Sequence, residues 1–488
     1  MTEITINTDV LVVGATSIGL KVAEEVKNLD YNVEVLKSPQ DLKGLKGFAG
    51  DFTATLDSGE KKFGAIVTAT DFITKPLFES YNLSPNDKII SQSDFEKLTE
   101  SDSLNGTKSV VFLAGFGQEG NPLVMKRVFK SVLDLCELED VNPYVFVNNL
   151  KVASKGLERL YKEGRDKGAI YFKLLEKPEI SEDCSKLVYM DQVMRSEMEL
   201  YPDLVVVEEE YVPCIDNTNL ACDLNIKIAK DGLLQMDNVH RFPVDTARKG
   251  IFVAGTARRL MNEDDIATDS KVVALKIKEF LGNGTIEVPQ NVAVIDGDKC
   301  AICLTCYRCC PHGAIYWQQD EAVVSALDCQ ACGNCASECP QDAIQLEDYK
   351  DSSINSEIEK CFADEKAPVV AFCCQNSAYE ALSMASEFDF EIPESFKPIK
   401  VPCAGKVDAD YILKAFAKGA AGVAVLACHP GNCKSEHGNT YAKWRVEDIK
   451  SKLEVIGVDK ERVLFSTVAS NMASALYGTV KDFVNKVK

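Results

Sequence analysis

Short apolar runs alternate with amphipathic stretches along most of the chain. VLVVG at 10–14 reads as a buried strand, IGLKVAEEVKNL at 18–29 as a helix with one apolar face, and NVEVL at 32–36 as a second strand. GAIVTAT (64–70), SVVFLAGF (109–116), YVFVNNL (144–150), DLVVVEEE (203–210) and KGIFVAG (249–255) continue the strand series. Helical patterns such as GLERLYKEGRDKG fall between them, and a last helix, VVALKIKEFLG, ends near residue 281. Alternation of this kind predicts an α/β domain around a largely parallel sheet.

The pattern breaks at about residue 288, where cysteines crowd a stretch with little periodicity, and an acidic polar segment, YKDSSINSEIEKCFADEK (349–366), reads as a linker. Four strand–helix units then follow: PVVAFCC, FKPIKVPC, GVAVLAC and RVLFSTVAS, each leading into a helical stretch. They predict a compact doubly wound parallel α/β domain. The expected organisation is therefore 1–287, a Rossmann-like α/β domain; 288–348, a cysteine-dense α+β insert; 349–366, a linker; and 367–488, the C-terminal α/β domain.

Charge narrows the partners. Lys and Arg number 54 against 75 Asp and Glu, a net charge of -21, which repels phosphate backbones and argues against nucleic acid. No apolar run is long enough to span a bilayer, and the N-terminus lacks a basic, then apolar leader. With 19 cysteines, such a chain is expected in a reducing cytoplasm, where thiols serve as ligands.

Nine of those thiols lie between 300 and 339. Cys300, Cys303, Cys306 and Cys310 obey C-x2-C-x2-C-x3-C before Pro311, and Cys329, Cys332, Cys335 and Cys339 repeat the rule before Pro340. This is two-cluster ferredoxin spacing, in which the fourth cysteine of each run serves the other cluster. It predicts one [4Fe–4S] cluster on Cys300, Cys303, Cys306 and Cys339, and a second on Cys329, Cys332, Cys335 and Cys310. Structural zinc does not use this doubled spacing, and Cys309 fits no ligand slot.

Cys373, Cys403 and Cys428 fall at the expected carboxyl ends of successive strands, with Cys374 and Cys433 beside them. The carboxyl ends of an open parallel sheet share one edge, so five thiols approach one another there. Thiolates in this number suit an iron–sulfur cluster, with zinc as competitor. Spacing does not choose four of the five; Cys374, Cys403, Cys428 and Cys433 are taken here, with Cys373 as the alternative. His429 and His437 read as solvated loop residues. Cys136, Cys184, Cys214, Cys222 and Cys361 are scattered and read as packing residues.

FCCQNSAYEA, VPCAGKVDADYILKAFAKGAAGVAVLACHPGNC and HGNTYAKWRVEDIK resemble the delta subunit of methyl-viologen-reducing hydrogenase. That resemblance implies a [2Fe–2S] cluster in the C-terminal domain, although Ser377 stands where the family usually has a further cysteine. Upstream, VFVNNLKVASKGLERLYKEGRDKGAIYF, DLVVVEEEYVPC and KGIFVAGTARR are similar to the A subunit of heterodisulfide reductase, a flavoprotein. The fusion of both modules resembles the B subunit of the quinone-interacting membrane-bound oxidoreductase complex. Implied partners are a heterodisulfide-reductase-A-like flavoprotein and a membrane quinone-reactive subunit, a hydrogenase or a dehydrogenase, with peripheral placement on the membrane through such a partner.

The flavin motifs are degraded. G-x-G-x-x-G is reduced to GATSIG, with Gly14 and Gly19 flanking Thr16, whose side chain crowds the phosphate approach. Lys37 replaces the acidic residue expected after the second strand, and Ala69-Thr70-Asp71 departs from A-T-G. Gly255, Thr256 and Ala257 form the one intact late motif. FAD on these residues is thus weighed against a flavin carried by a partner. The expected function is an electron-transfer subunit without its own substrate site; the alternative is a self-sufficient flavin-dependent oxidoreductase that reduces a small substrate or bifurcates electrons.

Overall fold

A computed structural model describes residues 2–487 apart from 102–103, 105, 182, 238–242, 289–290, 319–320 and 364–366. The chain forms two compact units: residues 1–70, 216–254 and 267–488 make the first, and residues 71–215 and 255–266 the second.

In the first unit, Val10–Val13 is flanked by Val33–Leu36 and Ala65–Thr68, with Ile251–Val253 beyond, all parallel. Val10 to Val13 are fully buried, as a central strand covered on both faces requires. The turn from this strand into the helix Ser17–Lys27 is tight: Gly14 has φ +112°, and a Cβ there would lie 2.6 Å from the Ala69 carbonyl oxygen. Thr16 caps the helix, its hydroxyl accepting from the Gly19 amide at 3.2 Å and donating to the Ala69 carbonyl at 2.8 Å.

The cysteine-dense insert of the same unit is built from two antiparallel strand pairs, Ala293–Ile295 with Ile344–Leu346 and Ile315–Gln318 with Glu321–Val324, and two short helices, Thr305–Cys309 and Asn334–Ser337. The C-terminal sheet runs Phe396–Val401, Val369–Cys374, Gly422–Ala427, Val463–Thr467, every pair parallel. The first strand in sequence is second in space, so the order reverses beside it and a crevice opens at its carboxyl end.

The acidic segment expected as a linker holds a helix, Asp351–Lys360. Ile354 and Ile358, four apart, share one face and pack with Phe372, Tyr411 and Ile412 in the core beneath the C-terminal sheet. Its polarity belongs to the outer face; residues 364–366 lie outside the described residues.

The second unit centres on a five-stranded parallel sheet ordered Ile170–Lys173, Asn142–Val147, Ser109–Ala114, Leu204–Val207, Ile89–Ser91. Ser109–Ala114 runs through the loop GFGQEG (115–120) into the helix Pro122–Cys136, the strand–glycine loop–helix arrangement of dinucleotide folds. Here the loop amides are already taken. Gly115 and Gly117 donate to the buried carboxylate of Glu208 at 2.8 and 3.0 Å, the Tyr81 hydroxyl donates at 2.6 Å, and the Gln118 side chain at 3.3 Å. A protein carboxylate thus sits on the amides that a phosphate would use.

Both observations have consequences for stability. Ile358→Ala is expected to cost about 2–5 kcal/mol by denaturant unfolding, whereas Ser356→Ala on the exposed side of the same helix stays within about 0.5 kcal/mol. Glu208→Leu leaves the loop donors unpaired and lowers stability by about 3 kcal/mol or more, against about 1 kcal/mol for Tyr81→Phe.

Candidate metal centre

The crossed spacing of the insert is matched in space. Cys300, Cys303, Cys306 and Cys339 line one cavity together with Ile295, Leu304 and Ile344. Cys310, Cys329, Cys332 and Cys335 line a second with Ala293, Ile315 and Val324. The short helices Thr305–Cys309 and Asn334–Ser337 carry the third thiol of each run, Cys306 and Cys335, while the residue after each x3 gap crosses to the other cavity. Cys309 faces neither: it is buried, with its thiol on the Cys306 carbonyl.

Backbone amides point at the sulfurs. Ala343 donates to Cys339 at 3.3 Å and Ala293 to Cys329 at 3.4 Å. Burial pushes the Cys332 thiol up to about 12, opposed by the Asn334 amide and the Ser435 hydroxyl. Cys303 is exposed and its thiol is held below the usual range by Thr305. Among the described residues, no three His, Cys, Asp or Glu side chains converge tightly enough for a single metal ion; the quartets surround apolar cavities instead. Thiolate donors, amides directed at sulfur and an apolar shell fit iron–sulfur clusters in both.

At the reversal point of the C-terminal sheet, Cys374, Cys403, Cys428 and Cys433 come together. Cys374 and Cys428 sulfurs are 3.7 Å apart. Hydrogen bonds from Cys403, then Cys428, hold the Cys374 and Cys433 thiols well below the usual range, while Cys403 and Cys428 are raised in turn. Four converging thiols, three of them buried, are a ready donor set for cationic iron. A Cβ at Gly438 would lie 2.3 Å from the Cys403 sulfur, so only glycine lets the backbone pass so near. Ser377 is buried and faces Cys374 and Cys428.

Cys373 is not part of this group. Adjacent strand residues point to opposite faces, and its side chain packs with Ala371, Ala378 and Leu426 on the other side of the sheet. His429 pairs with Thr467 at 2.9 Å and His437 is exposed. Of the scattered thiols, Cys184 and Cys361 are buried in cores, Cys136 and Cys214 are partly covered, and Cys222 is exposed.

Gly14, Thr16 and Gly19 form the capped turn of the first unit, with the Thr16 hydroxyl held between the Ala69 carbonyl and the Gly19 amide. Gly255, Thr256 and Ala257 form a buried single-turn 3-10 helix in the second unit.

Several functional-site residues escape sequence reasoning. His312 is buried beside the second quartet, its ring pushed down to about 4 by burial and then by Lys434. Lys406 is buried, donating to Asp351 at 2.8 Å and packed against Gly333, which precedes Asn334. Asn334 is fully buried with neither amide atom hydrogen-bonded. Only GFGQEG, a full G-x-G-x-x-G, had a signal that sequence alone displays.

Comparison with known proteins agrees with these modules. The family model for the methyl-viologen-reducing hydrogenase delta subunit matches residues 369–488, and that for a 4Fe-4S dicluster domain matches residues 293–340. The chain is 26% identical over 469 residues to the A subunit of the ferredoxin/F(420)H(2)-dependent CoB-CoM heterodisulfide reductase of Methanosarcina acetivorans, covering 90% of this chain and 59% of that protein. It thus spans less than two thirds of that relative's length. It is 36% identical over 124 residues to the iron-sulfur D subunit of the F420-non-reducing hydrogenase vhu of Methanopyrus kandleri, covering 25% of this chain and 94% of that protein. Among solved structures, thioredoxin reductase of T. acidophilum aligns with 56% of this chain and 99% of its own, at 15% identity and a TM-score of 0.37. The chain is thus similar to the A subunit of heterodisulfide reductase over most of its length and carries a 4Fe-4S dicluster domain, and its C-terminal domain belongs to the methyl-viologen-reducing hydrogenase delta-subunit family.

Proposed function

We propose that the chain is an electron-relay subunit of a multi-subunit redox complex, with a [4Fe–4S] cluster at each of the two quartets of the insert and a [2Fe–2S] cluster at Cys374, Cys403, Cys428 and Cys433. The observation that carries this reading is the convergence of twelve cysteines, scattered over 134 positions of sequence, into three groups of four. In each group the protein supplies thiolate donors and hydrogen bonds that stabilise their charge, and the surrounding fold covers all of these sulfur-bearing residues at least in part except the exposed Cys303. Those features set a potential; they do not bind an organic substrate.

The flavin of the pathway then belongs to a partner, a heterodisulfide-reductase-A-like flavoprotein. Two observations favour this over a flavin here: the Thr16 hydroxyl already takes the Gly19 amide in the first glycine loop, and the Glu208 carboxylate takes the Gly115 and Gly117 amides of the second. A membrane quinone-reactive subunit, a hydrogenase or a dehydrogenase completes the circuit. Any membrane contact is made through such a partner, since no helix among the described residues is long and apolar enough to cross a bilayer. The domain limits proposed for this division of labour are 288–348 for the dicluster module and 367–488 for the two-iron module.

The chain purified alone under anaerobic conditions is expected to carry about ten iron and about ten acid-labile sulfide and to release no flavin when denatured and extracted. Cys303→Ser and Cys428→Ser each remove iron from one group and leave the other two filled. Stoichiometric flavin, or iron content unchanged in both variants, contradicts the relay.

A further inference from the structure

Asn334 occupies an unusual position in the dicluster module. The residue has 0% exposure, and both Oδ1 and Nδ2 lack a hydrogen-bond partner. Each such buried group costs about 1–3 kcal/mol, so a sequence retains one only where something satisfies it or where it serves a purpose.

Its surroundings say where the amide leads. The Asn334 backbone N–H is directed at the Cys332 sulfur, and Cys335 follows it in the same short helix. Its side chain leaves the module and enters a slot between two glycines of the C-terminal domain. A Cβ at Gly405 would lie 1.8 Å from Oδ1, so any larger residue there closes the slot. A Cβ at Gly438 would lie 3.1 Å from Oδ1, 3.5 Å from Nδ2 and 2.3 Å from the Cys403 sulfur, which brings the amide and that sulfur within about 6 Å of each other. The two domains are pinned around this contact: Ser337 donates to the Gly405 carbonyl, and Arg445 binds Glu338 at 2.6 Å.

We propose that Asn334 is a positioning residue between the second quartet and the C-terminal quartet, and that its Nδ2–H group donates to sulfur of the C-terminal centre. The inference rests on the relay reading above. A donor to sulfur draws electron density from iron and raises the potential of the centre that receives it. Asn334 therefore tunes the C-terminal centre from within the ferredoxin module, and only while the two domains are docked.

The test uses the full chain, anaerobically purified. In Asn334→Leu, similar in size but without a donor, an EPR-monitored titration should show the C-terminal centre shifted to lower potential at unchanged iron content. With asparagine labelled by 15N, pulsed EPR should detect a nitrogen coupling on the C-terminal signal of the unaltered chain that is missing from equally labelled Asn334→Asp, the backbone amides of Asn376 and Asn439 being common to both. An unmoved potential in Asn334→Leu, or no asparagine coupling that Asn334→Asp lacks, overturns the proposal. The labelling arm decides the matter if Asn334→Leu loses iron. If the unaltered chain holds no iron at Cys374, Cys403, Cys428 and Cys433, the relay reading has failed, and this proposal falls with it.

Discussion

Thiols gathered in fours are unstable company. As thiolates they repel one another, and as buried thiols they leave weak donors and acceptors poorly matched. The fold must hold them together against this until cationic iron offsets their charge, and much of the local structure answers that demand. Left-handed residues such as Ile302, Leu304 and Ala331 bend the insert between successive cysteines, where an ordinary helix or strand would spread the sulfurs apart. In the C-terminal domain the demand is met by topology: strand ends at the reversal point deliver Cys374, Cys403 and Cys428 to one place, and the following loop returns Cys433 to them.

The same constraint explains what surrounds the groups. Gly438 has no side chain because the Cys403 sulfur takes its space. Lys406 is a cation in an almost fully buried position, tolerable because its ammonium donates to Asp351 and Tyr411. Burial alone would raise the Asp351 carboxyl, but bonds from Lys406, Tyr411 and Gln345 hold it below the usual range. Asp351 comes from the helix that the acidic composition conceals. That helix ties the insert to the C-terminal sheet, with Gln345 accepting from the Asp351 amide at one end and Ile358 in the core at the other.

Legibility in the sequence follows the range of each interaction. The gathering of the insert's cysteines around two cavities was readable because local loops bring them together and the spacing of those loops is itself the signal. The C-terminal group was half readable: strand ends could be placed, but the choice of Cys374 over Cys373 depends on which face of the strand is covered, and that is a tertiary fact. Helix Asp351–Lys360 was hidden because two isoleucines among polar residues are a weak apolar stripe. The filling of GFGQEG by Glu208, about ninety positions downstream, and the slot that receives Asn334 have no local trace at all.

The central claim is that three cysteine groups hold iron in two kinds of cluster. Mössbauer spectroscopy of the whole chain, grown on 57Fe and kept anaerobic, tests it most directly. The account predicts about four fifths of the iron in four-iron centres and about one fifth in a two-iron centre. A spectrum with no two-iron component, or a protein that carries zinc in place of iron at any of the three groups, contradicts it.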